Sequence, residues 1–300
     1  MKRLTATLLI ILFSSSIFSQ TREELYSRFS KAVSAHDTTA AASLVSNWER
    51  LYPNDAELFS LRANIHYMNA IFQVIVRSDE EPAAGTEYMV LQDSLGAKEY
   101  IYSEKRIDSA RLRSAKSILA EGIARHPDRL DLRLGKITLH LNSEENGLAV
   151  QEIGSALERS IANNNKWSWT IDKPVETEGV SHLRDCIQEY LSQMLEMGDL
   201  ASAERMVDDC IRLYPKDAVF LTDKGTLRVY AQDLESALKW YLKARKIAPE
   251  DMLIATNIAN IYEKQGNKKK ALKFYKIVAK SSDKRFAENA KNAIEFLNAE

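Results

Sequence analysis

In the C-terminal half of the chain, apolar and small positions return every 34 residues. Ala203, Ala237 and Ala271 hold one such place, Val207, Tyr241 and Tyr275 a second, and Leu191, Gly225 and Ala259 a third. Gly198, Gln232 and Gly266 mark a turn at the same interval, and Pro215 in "YPKD" and Pro249 in "APED" mark another. Within each period the apolar residues recur at helical spacing, so the unit reads as two helices joined by a tight turn. Small residues let paired helices approach, and large ones fill the groove against the next pair. Proline ends the second helix, because the residue before it is pushed out of the helical region.

The same ending occurs twice more. Ala41 precedes "LYPND" with Pro53, and Ala115 precedes "RHPDR" with Pro127. These place second helices over about 39–52 and 109–126, with a long first helix over about 56–77. The proline spacings of 74 and 88 residues exceed whole numbers of repeats, so two stretches are inserted. One is 78–107. Within it "EYMVLQDSLGAKEYIY" holds two β-favouring runs around a Ser-Leu-Gly turn, which predicts a hairpin over 87–102. The other is 163–179, "NNNKWSWTIDKPVETEG", a polar segment carrying Trp167 and Trp169.

The 34-residue unit resembles the tetratricopeptide repeat. In the unit beginning at Ala218, Leu221, Gly225, Ala237, Tyr241, Ala244 and Pro249 fall where that family expects them. In the unit beginning at Met252, so do Ala255, Ile258, Ala259, Tyr262, Gly266, Ala271, Tyr275 and Val278. Lys224 and Arg228 depart from the apolar preference, which weakens that helix, and Asp283 stands in place of the last proline. The resemblance implies an all-α, right-handed solenoid of about six helix pairs. Helices over 20–77 and 108–162 would flank the first insertion. Three regular repeats follow over 180–283, and a capping helix over 284–300. Trp169, Pro174 and Val175 also resemble a Trp-x-Trp and Pro-Val segment of secreted repeat proteins from Bacteroidota.

Composition changes the picture at the N-terminus. "MKRLTATLLIILFSSSIFSQ" has a basic start, a short apolar run from Leu8 to Phe13 and small residues after it. That is the layout of a signal peptide over 1–19, and it predicts export to the periplasm. The apolar run is shorter than the roughly 20 residues that span a bilayer. No transmembrane segment is expected in the mature chain, and no cysteine near residue 19 offers a lipid anchor. Without Lys2 and Arg3 the chain carries 39 basic and 42 acidic residues, so no nucleic-acid partner is expected. The exception is local: from Lys264 to Lys291, nine lysines and one arginine stand against Asp283 and Glu288. Such a run docks an acidic partner, a lipid head group or a neighbouring subunit, or keeps the end of an array soluble.

Candidate chemistry is of the binding kind. The resemblance implies a ligand face on the first helix of each pair, where Asp185, Gln188, Ser192, Val219, Thr222, Thr226, Leu253, Thr256 and Asn260 fall. These small and polar residues suit hydrogen bonding to an extended peptide. Asn257 and Asn260 fall near the asparagines of the family's carboxylate clamp, but its basic partners are missing, so that clamp is rejected. Trp167 and Trp169, two apart, point the same way in extended chain. They either stack on a ligand such as a sugar ring or fold back over a groove between repeats. Cys186 and Cys210 fall at the same end of one helix pair, so a disulfide and two buried thiols are both open. His36, His66, His126, His140 and His182 show no metal-ligand spacing, and no phosphate loop or nucleophile elbow appears. The expectation is a scaffold or adaptor that binds a protein or peptide of the cell envelope, with no cofactor and no catalysis. A glycan binder using Trp167 and Trp169 is the alternative.

Overall fold

A computed structural model describes residues 20–175 and 179–299. The expected signal peptide over 1–19 lies outside the described residues. Thirteen α-helices and three strands are present among the described residues, in two compact units divided between Arg111 and Leu112.

The first unit opens with α1 (Arg22–Ser34), α2 (Thr38–Leu51) and α3 (Glu57–Ala70). A capping box between Thr21 and Glu24 starts α1. Leu25, Phe29, Ala41, Leu44, Trp48, Leu58 and Leu61 form its core. Trp48 donates its indole N–H to Asp55 (3.1 Å), which also pairs with Arg22 (2.7 Å) and so ties the α2–α3 turn to α1.

The chain then leaves the helical pattern earlier than the sequence suggests. The expected first helix over 56–77 ends at Ala70, and Ile71–Ser78 is strand β1. The insertion therefore spans 71–107 and holds three strands. β2 (Tyr88–Gln92) and β3 (Lys98–Ile107) make the expected hairpin, and β1 pairs antiparallel with the far side of β3. "IFQVIVR" is an apolar, β-branched run that periodicity alone cannot divide between helix and strand. Its pairing from Ile71 opposite Ile107 to Ser78 opposite Tyr100 settles it.

The second unit continues from α4 (Ser109–Arg125) through α5 (Leu130–Leu141), α6 (Asn146–Ala162), α7 (Gly179–Glu196) and α8 (Leu200–Leu213). It closes with α9 (Ala218–Tyr230), α10 (Leu234–Ile247), α11 (Met252–Lys264), α12 (Lys268–Val278) and the terminal helix α13 (Lys284–Ala299). The α5/α6, α7/α8, α9/α10 and α11/α12 pairs, with α1/α2 in the first unit, share one turn device. Each has a left-handed residue just after the first helix: His36, Glu144, Gly198, Gln232 and Gly266, with φ between 54° and 73°. The next residue donates its N–H five positions back, as Asp199 does to Met194 and Asp233 to Arg228, which closes a Schellman turn. In four of the five turns that residue (Asp37, Asp199, Asp233 or Asn267) also caps the second helix with its side chain. One residue thus ends one helix and begins the next, which explains why the pairs turn so tightly.

Packing inside each pair depends on the small positions. A Cβ on Gly225 would lie 2.5 Å from the Tyr241 ring, which is buried and held by a 3.1 Å hydrogen bond between Tyr241 and Thr226 hydroxyls. On an exposed helix, Gly→Ala gains about 0.5–1 kcal/mol. Gly225→Ala is expected to reverse that sign and cost about 1–3 kcal/mol by overpacking. Chemical denaturation checks this; a midpoint raised by the substitution would contradict the close approach.

The basic departures at Lys224 and Arg228 meet acidic partners on the preceding helix. Lys224 is buried and pairs with Glu204 and Asp208 of α8, and Arg228 shares Glu204. Charges on neighbouring helices replace the apolar contact that the sequence lacks.

Candidate functional site

The first helices α7, α9 and α11 carry the residues that the family face predicts, and they are not equally free to bind. Gln188 donates to the Asp223 carboxyl at 2.6 Å, so its amide is engaged within the fold. The hydroxyls of Ser192, Thr222 and Thr256 donate to carbonyls four residues back in their own helices, and Thr222 is buried. Thr226 bonds both Thr222 and Tyr241. These hydroxyls keep acceptor capacity only.

Asn260 is different. It lies exposed at the rim of a cavity of about 240 Å³ between α9, α10 and α11, lined by Val229, Tyr241, Asn257, Asn260, Ile261, Glu263 and Lys264. Tyr275 sets the Asn260 side chain, its hydroxyl lying 2.6 Å from Oδ1 and 2.5 Å from Glu263 Oε2. That leaves the Asn260 amide N–H groups without a partner among the described residues. Asn257 makes no hydrogen bond there either, and Lys264 has no ion pair among the described residues. The cavity thus gathers two amides, one ammonium and one carboxylate around apolar walls. Tyr241, Glu263 and Lys264 were not legible as site residues. Tyr241 sits at a packing position, and the other two look like ordinary surface charges.

Behind this face lies one buried carboxyl. Asp223 is 6% exposed, and burial pushes its pKa up to about 7, with Asp217 adding to the rise and the Gln188 amide opposing it. Its hydrogen-bond partner Gln188 lies in α7, so the contact joins two repeats.

The tryptophan segment packs. Trp167 is 4% exposed within the core of α5, α6, α7 and α8, with the Arg133 guanidinium 5.9 Å from its ring centre. Trp169 packs against the same core and meets the His182 ring edge-on at 5.1 Å. Both rings pack against this core, and they make no exposed pair. The backbone between them does something else. Ser168 accepts from the Leu130 N–H (3.0 Å) and donates to the Asp128 carbonyl (2.9 Å), which caps the start of α5. In the other repeats an aspartate two residues after proline does this, Asp217 for α9 and Asp251 for α11. Here that position is Arg129, whose side chain is buried and pairs with Asp131 (2.7 Å) and Asp172 (3.4 Å). The segment is therefore fixed to α5 by its backbone and to the core of α5 to α8 by its two rings.

Of the two states left open for Cys186 and Cys210, the structure has the free thiols. Cys210 is sealed in the core, whereas Cys186 lies at its edge. Burial pushes the Cys186 thiol up to about 11 and the Cys210 thiol higher still, with nearby carboxylates adding to both, so both stay protonated. Among the described residues no helix is long and apolar enough to cross a membrane.

Tight pairs with a 34-residue period, small residues at the crossing and a terminal helix define an α-solenoid of the tetratricopeptide type, interrupted by a three-stranded sheet. No family model matches the chain, and no curated protein matches it by sequence. Among solved structures it is similar to a tetratricopeptide repeat protein from Parabacteroides merdae, at 11% identity and TM-score 0.39, over 93% of this chain and 87% of that one. It is also similar to YrrB, a TPR protein with an unusual peptide-binding site, at 14% identity and TM-score 0.38, over 61% and 85%. A third similarity is to PcrH in complex with the chaperone binding region of PopD, at 15% identity and TM-score 0.36, over 40% and 93%.

Proposed function

We propose that the chain is an exported, non-enzymatic scaffold that holds an extended segment of a partner protein of the cell envelope against the first helices of its repeats. The observation that carries this reading is the cavity between α9 and α11. There Asn257 presents its amide and Asn260 its amide N–H groups beside Lys264, which has no ion pair among the described residues, over walls of Val229, Tyr241 and Ile261. An amide offers a donor and an acceptor together, which is what an extended peptide backbone requires. The separation of uses along the face supports it: the hydroxyls of Thr222, Thr226 and Thr256 serve the helices, and the amides of α11 serve the cavity. Export is part of the proposal and rests on the basic, apolar and small-residue sequence of 1–19.

Losing both amides removes two hydrogen bonds of about 0.5–1.5 kcal/mol each. The doubly substituted chain Asn257→Ala/Asn260→Ala is therefore expected to capture its partner from an envelope extract about 5- to 150-fold less efficiently. Its thermal midpoint should stay within a degree or two of the parent's, since neither side chain is buried. Undiminished capture by the double variant would refute binding at this cavity.

A further inference from the structure

The sheet of the first unit leaves one edge unpaired. β2 has β3 on one side only, and all five of its residues, Tyr88 to Gln92, are exposed. The strand contains no charge, no proline and no bulge, the usual devices that keep an edge from pairing. Met89 is 65% exposed and Leu91 49%, on the face that also carries Ile75 at 75%.

The ladder fixes which backbone groups are free. Asp93 donates to the Ala97 carbonyl at 3.0 Å, which makes 93 and 97 a hydrogen-bonded pair. Antiparallel pairs alternate, so Leu91 and Met89 bond to Glu99 and Ile101, while Tyr88, Val90 and Gln92 turn their N–H and C=O groups outward. Three consecutive outward positions are a template for one more strand.

Charge selects the occupant. The loop that delivers the chain to β2 contains Asp79, Glu80, Glu81 and Glu87. Glu81 accepts from the Tyr88 hydroxyl at 2.8 Å, and the other three form no ion pair among the described residues. A second copy fits poorly. Two-fold pairing about Val90 sets Glu87 opposite Asp93 of the other copy, and pairing about Met89 or Leu91 sets an apolar residue opposite Glu87 or Asp93. We propose that the free edge of β2 docks an extended strand of a partner protein, uncharged and β-branched at its centre, with lysine or arginine at the end that meets the 79–87 loop.

The probe is a fluorescein-labelled peptide, Lys-Lys-Val-Thr-Val-Thr-Val, titrated with the full chain and read by anisotropy. A peptide with glutamates in place of the lysines is the comparison. Val90→Pro deletes an outward N–H without touching the β2–β3 ladder, so the variant should keep its fold and thermal midpoint. The expected result is saturable binding of the lysine peptide, at least tenfold weaker for the glutamate peptide and at least tenfold weaker with Val90→Pro. Exchange of the Val90 amide should slow when the lysine peptide binds. Asn257→Ala/Asn260→Ala should leave this binding unchanged, which separates it from the cavity of the helical unit. Equal binding by Val90→Pro, failure of both peptides to bind, or loss only in the asparagine variant would each overturn the proposal. So would a dimer, by light scattering, that Val90→Pro dissociates, because a second copy would then hold the edge.

Discussion

Trp167→Ala is expected to lower the unfolding free energy of the helical unit by about 3–5 kcal/mol, the cost of emptying a large aromatic site that cannot collapse. The ring is 4% exposed and touches a core built from α5, α6, α7 and α8. Its loss also unseats the backbone at Ser168, so the Leu130 N–H loses its acceptor and the start of α5 its cap. Trp169→Ala, on a half-buried ring at the edge of the same core, is expected to cost about 1–2 kcal/mol. Urea denaturation followed by circular dichroism orders the two. If Trp167→Ala cost less than Trp169→Ala, or under about 1 kcal/mol, the segment would not be the structural cap described here.

The second large effect is a pH dependence centred on Asp223. Burial raises its folded pKa to about 7, whereas an unfolded aspartate titrates near 3.8. Between those values the folded chain holds a proton that the unfolded chain has lost. The stability it contributes is complete below about pH 4 and falls as pH rises towards 7. A shift of about 3 units corresponds to about 4 kcal/mol at the upper limit. Asp223→Asn, which keeps the shape and can still bond Gln188, is expected to be more stable than the parent at pH 8. It should also flatten the decline between pH 4 and 7. A variant less stable than the parent at pH 8 would mean that the carboxylate is ionised and well paired there, against the burial seen in the structure.

The helix pairs were legible because packing repeats: Ala203, Ala237 and Ala271 recur with Gly198, Gln232 and Gly266, and each place has one physical task. β1 was not, because Ile71–Arg77 suits a helix and a strand alike and only its partner β3 decides. The role of Ser168 was hidden for a different reason, since a cap made by a backbone carbonyl leaves no side-chain signature. Its trace lay elsewhere, in Arg129, which occupies the place that Asp55, Asp217 and Asp251 hold after the other prolines. Lys224 and Arg228 looked like defects of α9, because their acidic partners, Glu204 and Asp208, sit one helix earlier. Along the first helices, the sequence pattern treated Asn260 and the threonines as equals. The threonine hydroxyls turn back onto carbonyls of their own helices, a rotamer choice that residue type does not fix.

The most direct test of the scaffold reading places a photo-crosslinking amino acid at position 257 of the chain expressed in its own cells, followed by sequencing of the adduct. The account predicts a discrete adduct to one stretch of another protein, with neighbouring residues of that stretch reached from position 264. An unmodified chain after irradiation, or adducts scattered over many unrelated proteins with no common segment, would contradict it.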